Sequence, residues 1–127
     1  MYPQESTEST GASVQRIGRT RTVLPIAGFS VAFDNEGFFW SFDEWNERVF
    51  RELCRVAGLD EPTEVHWRVV RFLRDFYNYQ RRAPLNNLIK KGTGISLQEL
   101  ESLFPGGIKY GARRLAGLPN PKACTGI

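Results

Sequence analysis

The chain has 127 residues, of which 41% are hydrophobic and 13% aromatic, and these values are typical of one globular domain rather than of a disordered chain. Its apolar runs fall short of the roughly 20 residues that a membrane-spanning helix needs, and the N-terminus lacks the pattern of a secretory signal. The net charge is only +3, but residues 108–127 hold four Lys or Arg and no acidic residue. We therefore expect a cytoplasmic protein whose basic character is concentrated at the C-terminal end.

The N-terminal third of the chain predicts a polar tail followed by a β-hairpin. Residues 1–25 are rich in polar side chains and are predicted to be a disordered tail. Large apolar residues alternate with smaller ones from position 29 to 33, and the turn-forming residues 34–37 follow. We therefore predict a hairpin over residues 28–40, at the start of a domain that extends over residues 26–117.

The middle of the chain predicts helices. The run Ser41-Phe42-Asp43-Glu44 is typical of a capping box, and Gly58 of a helix end, so a first helix is expected between them. Thr63 is the expected N-cap of a longer helix that ends near Arg82. Shorter helices are predicted over residues 84–91, 97–103 and 108–116. The fold class is therefore mostly α, a small helical bundle with an N-terminal β-hairpin.

The last ten residues predict a flexible arm that carries a reactive thiol. Pro119 and Pro121 disfavour regular structure, so residues 118–127 are expected to project from the domain. Cys124 lies in this polar segment, where little apolar surface is available to bury it. Exposed thiols near cations ionise and act as nucleophiles, so we interpret Cys124 as the catalytic residue. The cations expected to favour its thiolate are Arg113, Arg114 and Lys122.

The other candidate residues are better explained by structural roles. Cys54 lies beside the apolar stripe of the first helix, which favours a buried thiol. His66 lies in the first turn of the long helix and has no partner at a fixed spacing, which favours a capping or structural role over that of a general base. The helices at 64–82 and 84–91 resemble a helix-turn-helix, but Glu64 and Asp75 interrupt the arginines, so direct DNA binding is not expected.

Motifs for metals and cofactors are absent from the sequence. The chain has two cysteines and one histidine, and no pair of them has the spacing of a zinc site. Glycine-rich phosphate and dinucleotide motifs are also missing. We expect neither a metal nor a cofactor.

The C-terminal residues resemble a known family. Phe104-Pro105-Gly106-Gly107, followed by Ala116-Gly117-Leu118-Pro119-x-Pro121-x-x-Cys124, is similar to the signature of the DsrC/TusE sulfur-carrier proteins, which are related to the gamma subunit of dissimilatory sulfite reductase. Upstream runs that support the resemblance are Phe42-Asp43-Glu44-Trp45, His66-Trp67 and residues 69–77. The resemblance covers about residues 28–124. It implies a small, mostly helical domain whose mobile C-terminal arm carries the reactive cysteine at Cys124.

The resemblance also indicates a branch of the family. Some members have a second cysteine eleven positions before the first, where this chain has Arg113. Without it, the arm cannot close an intramolecular disulfide or trisulfide, which favours the single-cysteine TusE-like branch. The family cysteine is usually next to last, whereas Thr125-Gly126-Ile127 follow Cys124 here.

The leading hypothesis is a sulfurtransferase that carries a persulfide on Cys124 from upstream donor proteins to an acceptor enzyme. The resemblance implies a tRNA thiolase as acceptor, so that tRNA is contacted only indirectly, or a sulfite reductase with Cys124 acting alone. A second hypothesis is a binding module, docked on an enzyme or on DNA, in which Cys124 senses redox state.

Overall fold

The computed structural model describes residues 20–121. A two-stranded antiparallel hairpin precedes a set of helices, which confirms the predicted mostly α fold. The elements are β1 (Thr22–Ile26), β2 (Phe29–Phe33), a 3₁₀ turn (Phe42–Glu44), α1 (Glu47–Ala57), α2 (Glu64–Gln80), α3 (Asn86–Thr93), α4 (Leu97–Leu103), a π-helix (Ile108–Ala112) and α5 (Arg113–Leu115).

The hairpin lies earlier in the chain than the sequence predicted. Strand β1 pairs with β2 through the two-residue turn Ala27-Gly28, whose φ angles are +52° and +89°. Positive φ at both positions gives a turn that matches the twist of the strands. Pro25 is tolerated in β1 because this strand is at the edge of its sheet. The prediction of a disordered tail was therefore wrong for residues 22–25.

The predicted turn at residues 34–37 is present, but the return strand that was predicted at residues 38–40 is not formed. The Asp34 carboxylate accepts the backbone N–H groups of Glu36 at 2.9 Å and Phe38 at 3.0 Å. After the turn, Phe39 forms isolated bridges to Phe33 and to Pro119, and the Trp40 N–H donates to the Ala32 carbonyl at 2.9 Å. The turn therefore folds back on β2 and buries Phe38 and Phe39.

Helix α1 does not begin at the predicted capping box. Its N-cap is Asn46, whose side-chain oxygen accepts the Val49 N–H at 2.9 Å. Glu44 instead accepts the N–H of Ala32 in β2 at 2.8 Å, so its carboxylate joins the hairpin to the helices. The capping-box prediction was wrong because a strand N–H competes for this carboxylate. Gly58 ends the helix at φ +100°, as predicted.

Helix α2 begins at the predicted cap and passes through the core. His66 Nδ1 accepts the Thr63 N–H at 2.9 Å, and Nε2 donates to the Leu103 carbonyl at 2.9 Å. The structural role expected for His66 is thereby confirmed. Besides His66, the buried side chains of α2 are Val69, Val70, Leu73 and Tyr77, and these four belong to the main hydrophobic core. None of the helices within residues 20–121 has the length and apolar character needed to cross a membrane.

Candidate functional site at the base of the C-terminal segment

Of the two cysteines, Cys54 is the one within the described residues, and it is inert. Its side chain is buried in the main core. Burial raises the pKa of the Cys54 thiol to about 12, although the positive charge of Arg51 lowers it. A thiol that stays protonated and inaccessible is a poor nucleophile, which confirms the structural role predicted for Cys54.

Cys124 and Lys122 lie outside the described residues, and the structure shows the segment that precedes them, which we call the arm base. This arm base comprises residues 115–121, and most of it is packed against the body of the protein. The expectation that the flexible arm begins at residue 118 was wrong for residues 118–121. The reason is Leu118, whose side chain is fully buried in the main core.

Two side chains hold the backbone of the arm base. Trp45 Nε1 donates to the Leu115 carbonyl, and Arg74 Nη1 donates to the Ala116 carbonyl, both at 2.9 Å. Arg74 Nη2 also donates to the Phe42 carbonyl at 3.2 Å. Arg74 in α2 and Trp45, which follows the 3₁₀ turn, therefore bind backbone carbonyls at the end of α5. Carbonyls at the end of a helix have no partner within the helix.

Arg74 is stacked between two aromatic rings. Its guanidinium carbon lies 3.9 Å from the ring centre of Phe42 and 4.2 Å from that of Trp45. Burial lowers the pKa of Arg74 to about 10, with the charges of Asp43 and Asp75 opposing the shift. Arg74 is therefore still a cation at neutral pH, and it connects the arm base to the aromatic side chains by both hydrogen bonds and stacking.

Gly117 allows the chain to turn closely past Trp45. Its φ is +81°, and a Cβ at this position would lie 2.6 Å from Trp45 Cδ1. Only glycine fits both the left-handed backbone and the close approach. The turn at Gly117 directs Leu118 into the core.

The last described residues are held by the hairpin region. Pro119 forms a parallel bridge with Phe39. Asn120 is buried, and its Nδ2 donates to Asp34 Oδ2 at 3.0 Å. The Asp34 carboxylate therefore stabilises its own turn with one oxygen and the arm base with the other.

The two described cations of the predicted site point in different directions. Arg113 Nη2 donates to the Pro84 carbonyl at 2.8 Å and to Asn86 Oδ1 at 3.3 Å, and burial lowers its pKa. Arg114 lies over Gly37, where a Cβ would be 2.5 Å from its Nη2. Asp34 and Arg114 both line a largely apolar cleft of about 680 Å³. Arg114, rather than Arg113, therefore lies on the side of the arm base.

Sequence reasoning did not identify the residues that hold the arm base. In the sequence, neither Trp45 nor Arg74 carries a signal for a contact with residues some 70 or 40 positions away. The available hint in the sequence was Asn120, a polar residue between two prolines. Within residues 20–121, no three His, Cys, Asp or Glu side chains are grouped closely enough to hold a metal ion.

Comparison with known proteins identifies the family. The sequence profile of the "DsrC like protein" family matches residues 25–125, most of the chain. The chain belongs to the DsrC-like family, as the resemblance of its C-terminal residues predicted. The match includes the arm base and extends past Cys124.

The relatives carry two kinds of name. The chain is 34% identical over 98 residues to the gamma subunit of dissimilatory-type sulfite reductase from Nitratidesulfovibrio vulgaris, covering 77% of this chain and 93% of the relative. It is 33% identical over 109 residues to a sulfurtransferase TusE homolog from Haemophilus influenzae, covering 80% and 99%. Two such similar identities do not separate the branches, so the TusE-like branch stays a prediction.

Solved structures share the fold. The crystal structure of the oxidized gamma subunit (DsrC) from Archaeoglobus fulgidus is similar, with a TM-score of 0.68, 33% identity, and coverage of 79% of this chain and 96% of that chain. A chain in the crystal structure of dissimilatory sulfite reductase I gives a TM-score of 0.73 at 33% identity and the same coverage.

Proposed function

We propose that this protein is a sulfur-relay protein that carries sulfane sulfur as a persulfide on Cys124. The observation that carries the proposal is the arm base, in which Leu118–Asn120 are packed or hydrogen-bonded against the domain a few residues before the cysteine in the sequence. The names of the relatives, a sulfurtransferase and a sulfite reductase subunit, support sulfur handling.

The proposed transfer is an exchange at sulfur without net oxidation. The Cys124 thiolate attacks the outer sulfur of a donor persulfide, a new S–S bond forms on Cys124, and the donor leaves as its thiolate. Delivery reverses these roles, with a nucleophile of the acceptor attacking the outer sulfur and Cys124 leaving as thiolate. A cation near Cys124 favours the anion in both steps.

The arm base determines where this chemistry takes place. Cys124 follows Pro121 by three residues, so its Cα lies within about 11 Å of that of Pro121, even in a fully extended chain. The length of the chain between Pro121 and Cys124 thus limits how far the thiol can lie from the arm base. Arg114 and Lys122 are the proposed supporting cations, whereas Arg113 already donates to groups of the domain.

The second cysteine of the chain does not offer a disulfide alternative. Cys54 is fully buried, so an intramolecular disulfide with Cys124 would require the core to open. Arg113 occupies the position of the second cysteine of some relatives and is bonded to the domain. We therefore propose the TusE-like role, in which the sulfur passes toward a tRNA thiolase and finally to tRNA 2-thiouridine. The second candidate is a partner of dissimilatory sulfite reductase, favoured by the similarity to its gamma subunit.

The test of carriage is the intact mass of the protein after incubation with a persulfide donor. The wild type should gain about 32 Da per sulfur atom and lose it on reduction. Cys54→Ser, the matched control, should gain the same mass, and Cys124→Ser should gain none. An adduct that persists in Cys124→Ser, or none on the wild type, contradicts the proposal.

The acceptor is tested with protein that is already loaded. Persulfidated protein is mixed in turn with a tRNA thiolase and with dissimilatory sulfite reductase, and loss of the sulfur adduct is followed by mass. Discharge by the thiolase with formation of 2-thiouridine supports the first role. Discharge by the reductase alone supports the second.

A further inference from the structure

The charge of the chain is divided unevenly along its length. Residues 1–77 contain nine Lys or Arg against twelve Asp or Glu, a net charge of −3, whereas residues 78–127 contain eight against two, a net charge of +6. The two carboxylates of the second part are Glu99 and Glu101, and Glu101 already accepts a backbone N–H at 3.0 Å. The part of the chain that ends in the reactive cysteine therefore has many cations and few carboxylates to oppose them.

The fold gathers some of these cations around a cleft between α3 and the π-helix. The cleft has a volume of about 610 Å³, and Leu85, Lys109 and Tyr110 lie on its wall. Leu85 and Tyr110 are 67% and 45% exposed. Arg113 also lines the cleft, and its Nη2 donates to the Pro84 carbonyl at 2.8 Å. The cleft therefore combines apolar and cationic side chains with one carboxylate, that of Glu101, which accepts the Ile108 N–H.

Helix α3 extends this surface. Leu88, which is 38% exposed, follows Leu85 by three residues, and Lys91 follows Leu88 by the same interval. Residues three apart are neighbours on the surface of a helix, and Lys91 lies at an adjoining cleft that shares Asn87 with the first. We call the set of Leu85, Leu88, Lys91, Lys109 and Tyr110 the docking face.

The docking face is connected to the arm base. The Tyr110 ring packs on Phe38, with ring centres 5.8 Å apart. The N–H of Phe38 donates to one oxygen of Asp34, whose other oxygen accepts from Asn120. A molecule seated at Tyr110 is therefore separated by a few contacts from the origin of the segment that carries Cys124.

We propose that the docking face binds an acidic protein segment with apolar side chains, which belongs to a partner that exchanges sulfur with Cys124. This inference rests on the proposed function and names the chemistry of the partner. The cations complement carboxylates, and the exposed leucines gain from burial against apolar side chains. Phosphates of RNA offer nothing to Leu85 and Leu88, whereas an apolar patch with a charged rim is typical of a protein interface.

The test uses the arm's own thiol. Two short peptides carry one cysteine as a mixed disulfide with thionitrobenzoate, one rich in Glu and Leu and the other with Gln in place of Glu. The Cys124 thiolate attacks the peptide sulfur, a protein–peptide disulfide forms, and coloured thionitrobenzoate leaves. The acidic peptide should react about tenfold faster, because complementary charge raises its concentration near the thiol, and added salt should reduce the advantage.

Matched charge reversals locate the effect. Lys91→Glu with Lys109→Glu should abolish the preference for the acidic peptide, whereas Arg48→Glu with Arg68→Glu, which changes the net charge equally, should keep most of it. Equal rates for the two peptides, or equal losses in both double variants, overturn the inference while the reactivity of Cys124 stands. A thiol unreactive toward both peptides overturns the proposed function itself.

A nucleic-acid partner is a separate outcome of the same assay. Oligouridylate and a cysteine-free copy of the acidic peptide, matched in charge, are added as competitors. Stronger competition by the peptide supports the inference. Stronger competition by oligouridylate assigns the surface to nucleic acid and overturns it.

Discussion

Gly117→Ala is expected to loosen the arm base by two separable effects. The left-handed backbone at φ +81° disfavours any side chain, at about 1–2 kcal/mol. The new Cβ would also lie 2.6 Å from Trp45 Cδ1, and relieving this overlap should require a shift of the indole or of the chain, at about 1–3 kcal/mol. The free energy of unfolding should therefore fall by about 2–5 kcal/mol, measured by urea denaturation. Sulfur loading of Cys124 should slow even where the variant remains folded.

Gly94→Ala is the control that isolates the contact with Trp45. Gly94 has a similar φ of +76°, but nothing lies within 4 Å of a Cβ built there. This variant should lose only the backbone contribution, about 1–2 kcal/mol, and should load sulfur at the wild-type rate. If Gly117→Ala is no less stable than Gly94→Ala and loads sulfur equally fast, the reasoning about the arm base is refuted.

Three further outcomes follow from the described contacts. In the Cys124→Ser variant, Cys54 should react with iodoacetamide only when the protein unfolds, because the thiol is fully buried and burial raises its pKa to about 12. Rapid labelling of the folded protein would contradict the burial. His66→Ala should reduce the free energy of unfolding by about 1–3 kcal/mol in urea, since it leaves two backbone groups without partners, and an unchanged midpoint would argue against the cap. Asn120→Ala should lower the free energy of unfolding by about 1–3 kcal/mol, because Asp34 loses a buried donor. The variant should also load sulfur on Cys124 more slowly, and a loading rate equal to that of wild type would show that this bond does not position the thiol.

The sequence predicted the helices well where local signals decide them. Thr63 precedes α2 and Gly58 ends α1, as predicted. Such caps depend on neighbours a few residues away, which a single sequence displays.

The predictions from the sequence were wrong where contacts between distant residues determine the structure. The Glu44 carboxylate accepts an N–H of β2 instead of capping its own helix, and strand β1 forms by pairing with β2. The arm base shows the same limit, since Leu118 is buried because Trp45 and Arg74 hold the preceding carbonyls. The position of Cys124 in the sequence singles it out, but the sequence does not reveal the side chains that hold the arm base before it.

The contact between Trp45 and the arm base gives this protein an intrinsic optical reporter. The indole donates to the Leu115 carbonyl, lies against Gly117 and stacks on a cation. Indole emission responds to its hydrogen bond and to nearby charge, so loading of the thiol or arrival of a partner can be followed by fluorescence without a label. Replacing the other two tryptophans, Trp40 and Trp67, with phenylalanine would leave Trp45 as the single emitter at the place where the arm departs.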